Sequence, residues 1–181
     1  MPTDKELITK AARGDRQAFE QIYQNYRNDL LTIAMSLTFN ANLAEDVVQD
    51  VFVQFINCLN GFCLRGSLKA YLSICVANKS RDILRKQNVR RNMSLSEFDP
   101  CIESGNEPLK RMIDNEQFNL LEKGISELPY EQREVIMLRI HGDMSYRLIA
   151  KSLGIPLKTI HSRYRYGLDK LRQTLNGEIE K

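Results

Sequence analysis

Apolar residues recur along this chain at spacings of three and four, and runs alternating apolar with polar, as a half-buried strand would, are missing. Leu7, Ile8 and Ala11 predict a short helix stopping near Gly14. Phe19, Ile22, Tyr23 and Tyr26, continuing through Leu30, Ile33, Ala34 and Leu37, predict a long second one. Asn40 and Asn42 punctuate, and a third helix is expected from Ala44 to Leu59, with Ala44, Val48, Val51, Phe52 and Phe55 inward. Gly61 and Gly66 bracket a short loop, and Ser67 is placed to cap a fourth helix running to about Asn88. Its buried side is expected to hold Leu68, Tyr71, Leu72, Cys75 and Ile83.

The pattern then fails. "NMSLSEFDPCIESGNEPLK" holds two prolines, a glycine and several Ser, Asn and acidic residues, which is linker chemistry. Periodicity returns at Met112. The chain therefore reads as all-α, with two small helical domains, 1–90 and 112–181, joined by a flexible linker over 91–111. Each half has enough Leu, Ile, Val and Phe for a modest core.

The end of the second half is the most specific part. In "MSYRLIAKSLGIPLKTIHSRYRYGLDKLRQTL", Ile149, Ala150 and Leu153 make one face of a short helix opened by Ser145. Gly154 stands where the chain must turn with positive φ, which glycine permits at little cost. Behind the turn, Ile160, Tyr164, Leu168, Leu171 and Leu175 form one apolar stripe. The remaining sides carry Lys158, Thr159, His161, Ser162, Arg163 and Arg165. A helix-turn-helix sets the start of its second helix in the major groove, where Lys and Arg meet guanine or phosphate and Thr and Ser serve either. A basic face alone is more often merely solvated. The small residue, the turn glycine and the apolar anchor at their mutual spacing favour the DNA-binding motif.

The charge distribution adds a second contact. Net charge is only +3, yet residues 61–95 carry eight Lys and Arg against one acid, and residues 136–181 carry nine against four. Residues 96–135, between them, carry four against ten, and residues 1–60 five against eight. Two basic blocks on one chain suit a polyanion gripped in two places. In the first block, Lys79, Arg81, Arg85 and Lys86 can follow a phosphate backbone. Asn78, a poor mid-helix residue, makes a local hydrogen bond or meets a base. Phe62 and Arg65, in the loop before that helix, are types that grip unstacked bases. On the preceding helix, Glu45 and Asp46 suit the helix dipole, while Gln49 and Asp50 serve either solubility or protein docking.

Other classes find little support. No apolar run approaches the ~20 residues that span a bilayer, and no apolar segment follows the first charges as a signal peptide would require, so the expected location is cytoplasmic. The four cysteines form no CxxC pair, and with two histidines they lack metal-ligand spacing; the default is reduced thiols packed as small hydrophobes. No P-loop, HExxH or spaced carboxylate cluster supports an enzyme acting on nucleic acid, and His141 beside Gly142 reads as a loop residue. No metal or cofactor is expected.

In their order, these segments resemble a bacterial sigma factor of the sigma-70 family, in its two-domain extracytoplasmic-function group, over nearly the whole chain. "AEDVVQDVF" is similar to the family's core-polymerase-binding helix in region two. "LRGSLKAYLSICVANKSRDILRK" resembles the segment that melts and reads the minus-ten element. "ISELPYEQREVIMLRIHGDMSYRLIAKSLGIPLKTIHSRYRYGLDKLR" resembles region four, which reads the minus-thirty-five element. The resemblance implies that Asp46, Gln49 and Asp50 face the β′ clamp helices of core polymerase, with further contact to the β subunit. It implies that Phe62 to Ser67, Arg65 included, line the pocket for a flipped base, that Asn78 joins minus-ten recognition, and that Lys79, Arg81, Arg85 and Lys86 hold backbone. Lys158, Thr159, His161, Ser162, Arg163 and Arg165 would face the upstream element. Expected partners are core RNA polymerase, promoter DNA and, as is usual in the group, an anti-sigma factor, the free chain being a monomer. The chain departs from the family at Tyr71, where Trp is common, at Leu148, where an acid is common, and at Lys158 and His161, which bear on the promoter sequence read. The rival reading is a free-standing helix-turn-helix regulator, which leaves the first half unexplained.

Overall fold

A computed structural model describes residues 2–94 and 116–179, and within them every regular element is helical. The first half holds α1 (Asp4–Ala12), α2 (Arg16–Thr38), α3 (Ala41–Cys58) and α4 (Leu68–Ser94). The second holds α5 (Glu116–Ser126), α6 (Tyr130–Ile140), α7 (Tyr146–Leu153) and α8 (Leu157–Ile179).

Helix starts follow local capping chemistry. Thr3 and Glu6 form a reciprocal capping box on α1, and the Asp15 carboxylate accepts from the Gln17 and Ala18 N–H groups at the head of α2. Asn40 Oδ1 accepts from the Leu43 N–H at 2.9 Å, so α3 begins at Ala41, three residues before the sequence pattern placed it. The Ser67 hydroxyl accepts from the Ala70 N–H at 3.3 Å, as expected of a cap. Helix α4 runs on to Ser94, beyond Asn88 and into the segment read as linker, because "RKQNVRRNMS" contains helix formers and no Gly or Pro. Met112, Ile113, Cys101 and most of the linker lie outside the described residues.

The core of the first half joins Ile22, Leu30, Ile33 and Leu37 of α2 to Phe55 of α3 and Leu68 and Leu72 of α4, all fully buried. Tyr26 ties α1 down by donating its hydroxyl to Asp4 at 2.7 Å. The expected face of α4 is only part of what it buries. Leu68 and Leu72 are buried, while Tyr71, Cys75 and Ile83 are half-buried. Ala70, Ser73, Ala77 and Ser80, at spacings of three, four and three, are buried as well. Helix α4 packs on α2, α3 and α6 together, so no single apolar stripe describes it.

Helix α6 is the centre of the second half. Six consecutive residues, Arg133 to Leu138, are buried. It packs on α7 and α8 within its own half and on α2 and α4 of the other, so the two halves are docked through it.

Candidate nucleic-acid interface

The helix-turn-helix forms as expected. The Ser145 hydroxyl accepts from the Leu148 N–H at 3.3 Å to open α7. Gly154 closes it with φ +67°, and its N–H donates to the Ala150 carbonyl. A Cβ there would meet nothing within 4 Å, so the glycine serves backbone conformation and not space. Ile149 and Ile160 are fully buried and lock the two helices together. At Gly167 the reason is the reverse: a Cβ would lie 2.6 Å from Ile136 Cδ1 on α6, so glycine permits the close crossing of α6 and α8.

This packing sorts the six upstream-element candidates. Lys158, His161 and Arg165 are exposed, and Thr159, Ser162 and Arg163 are half-buried. The His161 ring packs at 4.5 Å on Tyr146, which also meets Tyr164 at 5.2 Å and lies under the Arg139 guanidinium at 5.1 Å. His161 is thereby held in orientation by an aromatic cluster spanning α7 and α8. The Ser162 hydroxyl donates to the Thr159 carbonyl at 3.0 Å. Arg165 lies over the Tyr166 ring at 5.0 Å. Leu148, on α7, is exposed.

In the first half, Gly61 and Gly66 adopt φ of +90° and +110° at either end of the loop. Phe62 is half-buried between Phe55 at 5.3 Å and Tyr71 at 5.0 Å, so its ring anchors the loop to the core. Burial, with Cys75 alongside, pushes the Tyr71 phenol up to about 12. Arg65 and Ser67 are exposed. Cys58 and Cys63 are exposed too, and of the three described cysteines only Cys75 is half-buried, which corrects the expectation of packed thiols for these three: the loop and the end of α3 lie at the surface. Among the described residues no His, Cys, Asp and Glu group could hold a metal.

Along α4, Asn78 is exposed, and its Oδ1 accepts from Arg81 Nη1 at 3.2 Å. Lys79 pairs with Asp50 of α3 at 2.7 Å, which brings a DNA candidate against a polymerase candidate. Arg81 is ion-paired to Glu134 of α6. Arg85 is exposed and pairs with Asp82 at 3.5 Å, and Lys86 is exposed. Asp46, Gln49 and Asp50 all lie on the exposed side of α3.

Two features escaped the sequence reading. Val53 and Ile56 are 55% and 44% exposed, on the same α3 face as Asp46 and Gln49 by helical spacing. Exposed apolar residues beside an acidic rim have the chemistry of a surface that can receive another protein, and the visible sequence signal was their failure to join the inward set. The second is Glu134, 3% exposed. Burial holds its carboxyl above the usual range, against the opposing pull of Arg81, Tyr130 and Arg163. Arg133 beside it is also buried, which lowers its guanidinium from its ordinary value.

The family model "Sigma-70 region 2" matches residues 22–90, and "Sigma-70, region 4" matches residues 124–173. The chain is 29% identical to the ECF RNA polymerase sigma factor RpoE of Cereibacter sphaeroides over 96% of each protein. It is 25% identical to the ECF RNA polymerase sigma factor SigW of Bacillus subtilis, over 94% of this chain and 96% of that protein. Among solved structures, the sigma factor RpoE of Bartonella quintana, in complex with the anti-sigma factor NepR, superposes with TM-score 0.68 at 25% identity, covering 87% of this chain and 96% of that one. With two region models covering most of the chain and a helix-turn-helix joined to a basic helix, the chain belongs to the sigma-70 family of RNA polymerase sigma factors, in the extracytoplasmic-function group, whose members are transcription initiation factors and not enzymes.

Proposed function

We propose that this chain brings core RNA polymerase to promoters through three surfaces, the first two adjoining at the Lys79–Asp50 pair. The α3 face of Asp46, Gln49, Val53 and Ile56, with Asp50 beside it, docks on the β′ clamp helices. The loop of Arg65 to Ser67, with Asn78, Lys79, Arg81, Arg85 and Lys86, handles the minus-ten element, Phe62 backing that loop from the core. Lys158, Thr159, His161, Ser162, Arg163 and Arg165 present to the upstream duplex. The work divides at the linker, with region 2 over residues 1–90 and region 4 over 112–181.

Melting needs no bond chemistry from this protein. Unpairing and flipping a base costs on the order of a few kcal/mol, offset by capture of the base and by polymerase contacts. The observation that carries the reading is the pairing, in one chain, of an exposed apolar–acidic α3 face with two basic DNA-type surfaces. A free-standing regulator has no use for that face. The reaction takes place where the chromosome is, so the protein acts in the cytoplasm; no helix among the described residues is long and apolar enough to cross a membrane. An anti-sigma protein is a further partner, as NepR is for the Bartonella protein.

Run-off transcription with core polymerase on a promoter library is the test. Discrete transcripts that require this chain are expected. Tight, specific duplex binding by the isolated protein, with no such transcripts, would return it to the regulator class.

A further inference from the structure

Tyr146 is the first residue of α7, and side chains of both α6 and α8 meet its ring. His161 of α8 packs on it at 4.5 Å, with the two planes at 48°. Tyr164, three residues further along α8, meets it edge-on at 5.2 Å. From α6, the Arg139 guanidinium lies over it at 5.1 Å and is itself held by donating to the Met144 carbonyl at 2.9 Å. Tyr146 is half-buried, while His161 is exposed near the start of α8. The fold thus builds a fixed aromatic shelf and rests an exposed imidazole on it.

We propose that Tyr146 is a positioning residue that acts through His161, and that the pinned imidazole tells purine from pyrimidine at one position of the upstream element by donating a hydrogen bond to purine N7. The proposal rests on the reading of α8 as the helix in the major groove. A long Lys or Arg can reach the middle of the groove, where Arg takes guanine O6 and N7 together. His161 is short, and its stack on Tyr146 keeps the ring back toward α7. Such a ring meets the outer edge of a base pair, the part nearest its own strand. Purines present N7 there, an acceptor shared by A and G, while pyrimidines present carbon, with a methyl group in thymine. No donor stands at that edge, so the imidazole N–H finds an acceptor on a purine and an apolar group on a pyrimidine. At least one such N–H exists in either protonation state of histidine. Without the shelf the ring would swing to phosphate oxygens, which carry no sequence information.

Run-off transcription by core polymerase with the full chain, on promoters randomised across the upstream element, reads base preference position by position. One position should favour A and G over C and T by roughly fivefold, the scale of a single hydrogen bond, with A and G within about twofold of each other. His161→Ala, at an exposed site, should flatten that position and leave the others as they are. Tyr146→Leu, which keeps apolar bulk in the cluster, should flatten the same position. Tyr146→Phe should keep the preference, since the ring and not the hydroxyl is the shelf. In the His161→Ala background, Tyr146→Leu should change nothing further at that position. A purely structural Tyr146 would instead lower transcription from every promoter alike. The proposal is overturned, with the role of α8 left standing, if the purine preference survives His161→Ala or folded Tyr146→Leu, or is lost equally in Tyr146→Phe. A preference for C, or for G and T together, at the His161-dependent position overturns it as well. Transcripts indifferent to every upstream base overturn it together with the reading of α8.

Discussion

Gly167 lies in the middle of α8, where glycine costs about 1 kcal/mol in helix propensity relative to alanine. Gly167→Ala should nevertheless destabilise the protein. The new Cβ would stand 2.6 Å from Ile136 Cδ1 and 3.3 Å from Gln132 Cβ, where carbon atoms prefer about 3.5–4.0 Å. Ile136 is 1% exposed and has little room to retreat. Overpacking of this kind costs about 1–3 kcal/mol, so after the propensity gain the net loss is about 0–2 kcal/mol. Ile136→Val removes the colliding methyl and by itself costs about 0.5–1.5 kcal/mol. In the double variant the collision with Cδ1 is gone while the alanine gain remains. Its stability should therefore exceed the additive expectation by about 1–3 kcal/mol. Urea unfolding followed by circular dichroism on the four proteins gives the cycle directly. Additivity within about 0.5 kcal/mol would refute the idea that packing against α6 dictates a glycine on α8.

Three further predictions test other parts of the structure. At Gly154, where space is open and only φ is unusual, alanine should cost about 1 kcal/mol and asparagine less, both read by thermal unfolding; equal effects would remove the conformational reason. Burial raises the Glu134 carboxyl, so its ionisation costs stability as pH climbs from the ordinary value of 4.5 through the folded-state value, and that cost is absent below both. Melting temperatures of Glu134→Gln minus parent should therefore rise across that window, and a flat or falling difference would contradict the sign. Asp50→Lys should reduce recovery of core polymerase in co-purification while altering stability by no more than about 1 kcal/mol, the scale of the exposed Lys79 pair it loses; unchanged recovery would return that face to simple solubility.

Much of this protein was legible from local pattern. Periods of three and four place the helices, Ser67, Ser145 and Gly154 act locally on their own helix ends, and the linker declares itself by Pro, Gly and lost periodicity. These are short-range effects, set by the backbone's own donors, acceptors and φ preferences, so a single chain suffices to read them. The same holds for the helix-turn-helix, whose turn and apolar anchors lie within a few residues of one another.

Tertiary structure decided what each helix faces on its second and third sides. Helix α6 has no stripe because it is buried all round, and α4 hides Ser73, Ala77 and Ser80 because another helix crosses there. Phe62 looked like a free base-gripping ring, and the fold backs it onto Phe55 and Tyr71. Arg81 and Glu134 are separated by 53 positions, and nothing local pairs them. Two charges that far apart meet only when the halves dock, so sequence determines that each is charged and the tertiary fold determines which charge it faces.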